Sequence, residues 1–233
     1  MALRAVLFDA GGTLINPDYR RVAAVMERVV GRAPAREAFV AAEYAGRAAI
    51  EAVMAGAGSS TDGDRWTVHF LAMFADLGFS REEIRSLAPH VQAEHRQANL
   101  WTDPQPGAAD ALAALREAGY TVGCVSNADG TVDKLLAGAG LAEHLEFIVD
   151  SGAVGIEKPD PRIFDIALAL AHARPEEALY VGDLYPVDVV GARRAGIEPV
   201  LLDPLGRYAD RDCRTARDVP SLCRELVALT PVV

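Results

Sequence analysis

The sequence predicts an α/β protein: a doubly wound, Rossmann-like parallel sheet core with one all-helical domain inserted into it. Three observations carry the prediction. From about residue 102 onward, short apolar runs alternate with segments of helical periodicity, the pattern of parallel strands joined by crossover helices. A further apolar run opens the chain at residues 3–8 and ends in Asp9-Ala10-Gly11-Gly12-Thr13. Between the two lies a long stretch in which every pattern is helical.

The opening run reads as a buried strand that delivers polar and glycine residues at its C-terminal end, where ligands bind in open α/β sheets. From Pro17 to about Leu100 the apolar residues fall on helical faces: Val22, Val25, Met26, Val29 and Val30; then Trp66, Phe70, Met73, Phe74 and Leu77; then Ile84, Leu87, Ala88 and Val91. A Gly/Ser-rich loop at 55–63 separates two of these helices. Residues 102–107, with two prolines and a glycine, read as a linker back to the core. Helices are then expected at 108–118, 131–139, 161–172 and 187–195, and strands at 121–125, 147–149, 179–181 and 199–202. Residues 203–218 are polar and loop-like, and a last helix covers 221–229. The expected division is a core of 1–16 with 102–233, and a helical domain of 17–101.

Composition bounds the function. With 233 residues, 51% of them hydrophobic, the chain can bury a full core. A formal charge of −10 repels nucleic acid and anionic membrane surfaces through a field screened over roughly 8 Å, so neither is an expected partner. A small anionic substrate needs only a local cluster of donors. No apolar run approaches the roughly 18 residues of a membrane span, and the N-terminus enters a strand at once, so a cytoplasmic protein is expected. Cys124, Cys213 and Cys223 sit in no metal-like or redox-like spacing and read as reduced thiols.

Four pieces at or just beyond strand ends have residue types suited to phosphoryl transfer. In Phe8-Asp9-Ala10-Gly11-Gly12-Thr13 a carboxylate meets backbone amides freed by glycine, Gly12 among them, suitable for attack on an electrophile whose oxygens are held. Ser126-Asn127 is a hydroxyl and amide group at a strand terminus. Lys158 is a compact cation preceding a helix. Gly182-Asp183-Leu184-Tyr185-Pro186-Val187-Asp188 carries two carboxylates five apart, able with Asp9 to hold a hard cation such as Mg²⁺. Each piece alone has a plain reading as a turn, a helix start or a strand end. Their order, with all four at strand ends, makes four coincidences improbable.

These motifs resemble those of the haloacid dehalogenase superfamily, and the helical insert is similar to that family's α-helical cap; the resemblance covers nearly the whole chain. It implies a hydrolase, a phosphatase acting on a small phosphorylated metabolite with Mg²⁺ as cofactor. It implies Asp9 as nucleophile, Ser126 and Lys158 on the transferring group with Asn127 and Gly12 beside them, and Asp183 with Asp188 as the acidic metal end. A cap would close over the site and select the substrate. Family phosphatases usually carry a second aspartate two residues after the nucleophile, as general acid and base; here that position is Gly11. Its backbone carbonyl, which the family gives to the metal, is retained. Such acid catalysis is worth about 10²–10⁴-fold, so rate and leaving-group scope are in question, not the fold.

Two branches of the family lack that aspartate. Phosphonoacetaldehyde hydrolases need a cap lysine for a Schiff base, and this chain's two lysines, Lys134 and Lys158, both lie outside the insert. The 2-haloacid dehalogenases work without metal, and their fourth motif lacks the acidic pair kept here. A 2-haloacid dehalogenase-like hydrolase stays open as the alternative, as does a catalytically weakened binding protein. Within the insert, His69, His90 and His95 are candidate substitutes for the proton donor, and Arg20, Arg21 and Arg47 could reach an anion. Thr13 is read as bonding within the first loop or as a structural turn residue, and Tyr185 as packing near the metal or starting a helix. A monomer or homodimer is expected.

Overall fold

The computed structural model describes residues 2–57 and 62–229. In chain order it holds β1 (Ala5–Phe8), β2 (Ile15–Pro17), helices α1 (Tyr19–Val30), α2 (Arg36–Ala57), α3 (Asp62–Asp76) and α4 (Arg81–Gln97), then β3 (Trp101–Pro104). The chain continues through α5 (Ala108–Glu117), β4 (Thr121–Ser126), α6 (Val132–Gly138), β5 (Phe147–Asp150), α7 (Ser151–Val154) and α8 (Pro161–Leu170). It ends with β6 (Ala178–Gly182), α9 (Val190–Arg194), β7 (Glu198–Leu202), β8 (Arg214–Ala216) and α10 (Val219–Leu229). Two compact units result: Met1–Asn16 with Thr102–Val233, and Pro17–Trp101.

The first unit is a six-stranded sheet in the order β5-β4-β1-β6-β7-β8, parallel throughout. β1 sits between β4 and β6 and is wholly buried, which is why its sequence is a continuous apolar run without alternation. The register pairs Phe8 with Cys124 on one side and Val181 on the other, so the first residues beyond all three strands emerge together at one sheet edge. Gly123 is required within β4, because the Phe147 ring would lie 2.4 Å from a Cβ there. One core layer joins Leu7, Val125 and Tyr180 of the sheet to Ile163, Phe164 and Ala167 of α8. That helix starts where Asp160 caps Arg162 N and Pro161 fills the first turn, where a missing N–H costs nothing.

The second unit is four helices packed on Met26, Phe39, Phe70, Phe74 and Leu87. Ser80 and Glu83 form a reciprocal capping box at the start of α4. Its far end is held by Arg21, which donates to the Ala98 and Asn99 carbonyls and to Glu94.

Several elements differ from the sequence expectation. β2 and β3 are paired with each other, β3 within the stretch expected to be a plain linker and β2 where no strand was expected; three- and four-residue strands are too short for periodicity to register. β8 lies within the stretch read as loop: its Arg-Thr-Ala is polar because it is an edge strand, paired to β7 on one side and tied to α10 by an ion pair between Arg214 and Glu225. The expected loop at 55–63 is shorter, since α2 runs through Ala57 and α3 begins at Asp62; its centre, 58–61, lies outside the described residues. The helix expected at 187–195 opens as a π-turn over Tyr185–Val189. No helix of the described residues is long and apolar enough to cross a membrane.

Candidate active site

The site forms where β4, β1 and β6 end side by side. Asp9 follows β1, and its amide donates to the Val181 carbonyl of β6 at 2.8 Å, tying the residue to the neighbouring strand. The chain then turns sharply: Leu14 N and Ile15 N both donate to the Ala10 carbonyl, at 2.8 and 2.9 Å. The positive φ this turn needs falls at Gly12 (78°) and not at Gly11. Gly12 is required twice over, since a Cβ there would lie 2.3 Å from Oδ2 of Asp183.

Lys158 brings the four motifs together. It is 2% exposed, and its Nζ donates to Asp9 Oδ1 at 2.6 Å, to Asp188 Oδ1 at 2.8 Å and to the Tyr180 hydroxyl at 2.8 Å. Its backbone is fixed by Asn127, whose side chain accepts from Lys158 N at 2.8 Å and donates to Lys158 O at 2.9 Å. Asn127 therefore braces the lysine's main chain, a use the sequence did not suggest. Ser126 ends β4 buried, and Gly182 ends β6 with Asp188 so close that a Cβ would lie 2.3 Å from its carboxyl carbon.

Asp9, Asp183 and Asp188 each offer a carboxylate oxygen within 4.8 Å of the others. Asp188 is heavily used already: Oδ1 receives Lys158 and Tyr180, while Oδ2 receives the amides of Asp183 and Leu184 at 3.1 and 2.9 Å. A carboxylate has about four lone-pair directions, so Asp188 is an anchor for its loop and for the lysine. Three carboxylates against one ammonium leave a formal charge of −2 when all are ionised. The strain shows at Asp9, where burial, with Asp188 and Asp183 adding to it, pushes the carboxyl up to about 7 despite the lysine. Burial works against the Lys158 charge too, but Asp188 and Asp9 outweigh it and hold the ammonium above its usual range. The donor set is all hard oxygen and carries the charge that a divalent cation would balance, so these residues fit Mg²⁺.

Sequence reasoning passed over two residues here. Tyr180 is a buried phenol in a strand of otherwise apolar residues; a lone hydroxyl in such a run is the signal that could have found it. Asp150, ending β5, accepts from Gly130 N, Val132 N and Gly152 N at 2.9–3.2 Å and so shapes the loop after Asn127. The Thr13 hydroxyl is buried with no hydrogen-bond partner among the described residues, so of its two readings the bond within the first loop is not made. Tyr185 starts the π-turn and donates to Asp212.

Most candidates in the helical unit have their own partners within it. His69 lies 3.2 Å from Glu43, which also accepts from Tyr19 and has Arg47 at 4.0 Å. His95 accepts from Leu100 N and stacks on Trp66, and His90 is exposed. Arg20 pairs with Asp18, and Arg21 caps α4.

A family model of haloacid dehalogenase-like hydrolases matches residues 3–196. The chain is 35% identical over 211 residues to a phosphoserine phosphatase of Thermus thermophilus, covering 86% of this chain and 81% of that one. It is 34% identical over 154 residues to a glyceraldehyde 3-phosphate phosphatase of Methanopyrus kandleri, 65% of each. Human haloacid dehalogenase-like hydrolase domain-containing protein 3 is 43% identical over 107 residues, and the match spans 43% of its length. Among solved structures, the magnesium-bound HAD-hydrolase YfnB of Bacillus subtilis aligns over 97% of this chain and 99% of its own, with a TM-score of 0.65 at 18% identity.

Proposed function

The chain belongs to the haloacid dehalogenase-like hydrolases, and from that premise we propose that it is a Mg²⁺-dependent phosphatase of a small phosphorylated metabolite, working through an aspartyl-phosphate at Asp9. The observation that carries the reading is the convergence of the Asp9, Asp183 and Asp188 carboxylates, with the Lys158 ammonium bonded to Asp9 and Asp188. Phosphatases of phosphoserine and of glyceraldehyde 3-phosphate among the relatives support the same reaction class.

In this reading Asp9 and Asp183, with the Gly11 carbonyl, would hold the cation, and Asp188 contributes charge beside it. When bound, Mg²⁺ neutralises the carboxylates and the phosphoryl oxygens, so that an anionic nucleophile can approach an anionic substrate. Asp9 attacks phosphorus, a new O–P bond forms as the ester O–P bond breaks, and the electron pair leaves on the alcohol oxygen, which takes up a proton from solvent water. Lys158 neutralises charge on the transferring group, and the Gly12 and Ser126 donors orient it. Water then cleaves the acyl phosphate, returning the Asp9 carboxylate and releasing inorganic phosphate. Gly11 supplies no proton for the first step and no base for the second, so activated esters are favoured over alkyl phosphates. Residues 17–101 are assigned the part of a cap that selects the substrate.

A panel of phosphorylated metabolites assayed with Mg²⁺ and with chelator tests the proposal. Phosphate release that requires Mg²⁺ is expected. Chelator-insensitive chloride release from a 2-haloacid would overturn it.

A further inference from the structure

Lys158 is an ammonium with three N–H donors and no acceptor, and in the resting protein all three are committed, to Asp9, Asp188 and Tyr180. Because the ammonium can only donate, the Tyr180 oxygen accepts from it. The phenol proton then has two acceptors within reach, Asp188 Oδ1 at 3.1 Å and the Val125 carbonyl at 3.2 Å. The carboxylate is the stronger acceptor of the two. Tyr180 thus closes a triangle with Lys158 and Asp188, and two of the three N–H directions of Nζ are pinned from within the fold.

The phenol itself has little freedom. Its strand is paired on both sides, at Leu7 of β1 and Pro199 of β7, and its ring meets Phe164 edge-on with centroids 4.9 Å apart. It is wholly buried.

We propose that Tyr180 is a positioning residue of the reaction, whose phenol fixes the Lys158 ammonium so that its remaining N–H is aimed at Asp9 and at the group transferred to it. The inference rests on the phosphatase reading for the chemistry, and on the Lys158 geometry alone for the positioning. Without the phenol oxygen, Nζ keeps its carboxylate partners but gains a loose N–H and a wider range of orientations. The loss falls on the transition state, where alignment counts most, and little on ground-state binding.

Tyr180→Phe tests this, since it removes one oxygen and leaves the ring against Phe164. The chain has only two lysines, and Lys134 is exposed on α6, so lysine-selective isotope labelling gives one buried ammonium to watch and an exposed one as internal reference. In wild type, with and without Mg²⁺, the Lys158 ammonium should be sharp, protected from solvent exchange, and show two resolved ε-methylene protons. In Tyr180→Phe its proton exchange should accelerate about tenfold or more and the methylene pair should merge, with Lys134 unchanged. On p-nitrophenyl phosphate, kcat should fall about tenfold while KM stays within about twofold. Near-ultraviolet circular dichroism reports folding. Should the variant not fold, global 3-fluorotyrosine labelling, which weakens the phenol as acceptor without altering its packing, should move the Lys158 signal alone in the same direction. An unaltered Lys158 signal in the folded variant, or unaltered kcat, overturns the proposal. Equal loss of Lys158 and Lys134 order would reduce it to general loosening. A wild type that cleaves no phosphate ester yet shows the Lys158 response would refute the phosphatase reading and spare the positioning.

Discussion

Removing divalent cation should make this protein less stable as pH rises from 5 to 7, opposite to the usual behaviour of a buried carboxylate with a cationic partner. In the folded chain Asp9 is pushed up to about 7 by burial and by Asp188 and Asp183, whereas in the unfolded chain it titrates near its ordinary value of 3.8. The folded state therefore binds a proton that the unfolded state has already lost, and stability falls with pH wherever that holds. The stabilising proton is fully present below about 4 and lost as pH passes through 7. Carboxylates held low, such as Glu43, Asp18 and Asp218, oppose the slope mainly below pH 5, where their unfolded-state carboxyls still bind protons. Integrated from pH 5 to 7, the linkage is about 2 kcal/mol, on the order of 4–8 °C in melting temperature for a chain of this size. Melts in chelator at half-unit pH steps measure it. Asp9→Asn should flatten the slope, and saturating Mg²⁺ should reverse it, because the cation binds the ionised carboxylates. A wild type equally stable at pH 5 and 7 in chelator, or an Asn variant with the same slope, would refute the reasoning.

Asp9→Asn should also abolish turnover while preserving the fold, because an amide oxygen is too poor a nucleophile to form the acyl phosphate; most of the wild-type rate surviving in a clean preparation would rule out covalent catalysis there. Asp183→Ala should prevent Mg²⁺ from restoring activity after chelation, which a metal titration of phosphate release checks. Gly12→Ala places a Cβ 2.3 Å from Asp183 in a backbone with φ of 78°; it should cost about 1 kcal/mol or more and raise the half-saturating Mg²⁺, and an unchanged titration would count against that packing. Gly11 takes no positive φ, so Gly11→Asp meets no backbone penalty of that kind. It should raise kcat/KM on alkyl phosphates by up to about 10²–10⁴-fold and less on activated esters, and an equal gain on both would show that Gly11 is not a vacated acid position.

The sheet was largely legible because its strands are buried on both faces: Val6 and Leu7, Val122 to Val125, and Leu179 to Val181 write their burial directly into the sequence. The helical unit was legible through its 3.6-residue spacing, which Val22, Val25 and Met26 obey in the fold. What escaped is a short polar edge strand, as with β8, or has too few residues to show a period, as with β2 and β3. The residue types gathered in the candidate site could be read because carboxylates and a lysine after apolar runs are conspicuous. Its division of labour could not. Only coordinates reveal that the Asn127 amide is spent on the Lys158 main chain, or that Asp188 has both oxygens engaged.

The place of β1 in the middle of the sheet has a dynamic consequence. A strand flanked on both sides cannot fray, so its amides exchange with solvent only when the sheet opens as a whole, whereas edge strands such as β5 and β8 can open by local fluctuation. The Asp9 amide, bonded to Val181, is the last rung of that central ladder. Asp9 thus stands in the slowest-opening region of the unit. Were it the nucleophile proposed above, the motion of turnover would come from the segments beyond the strand ends, with the base of its carboxylate held still.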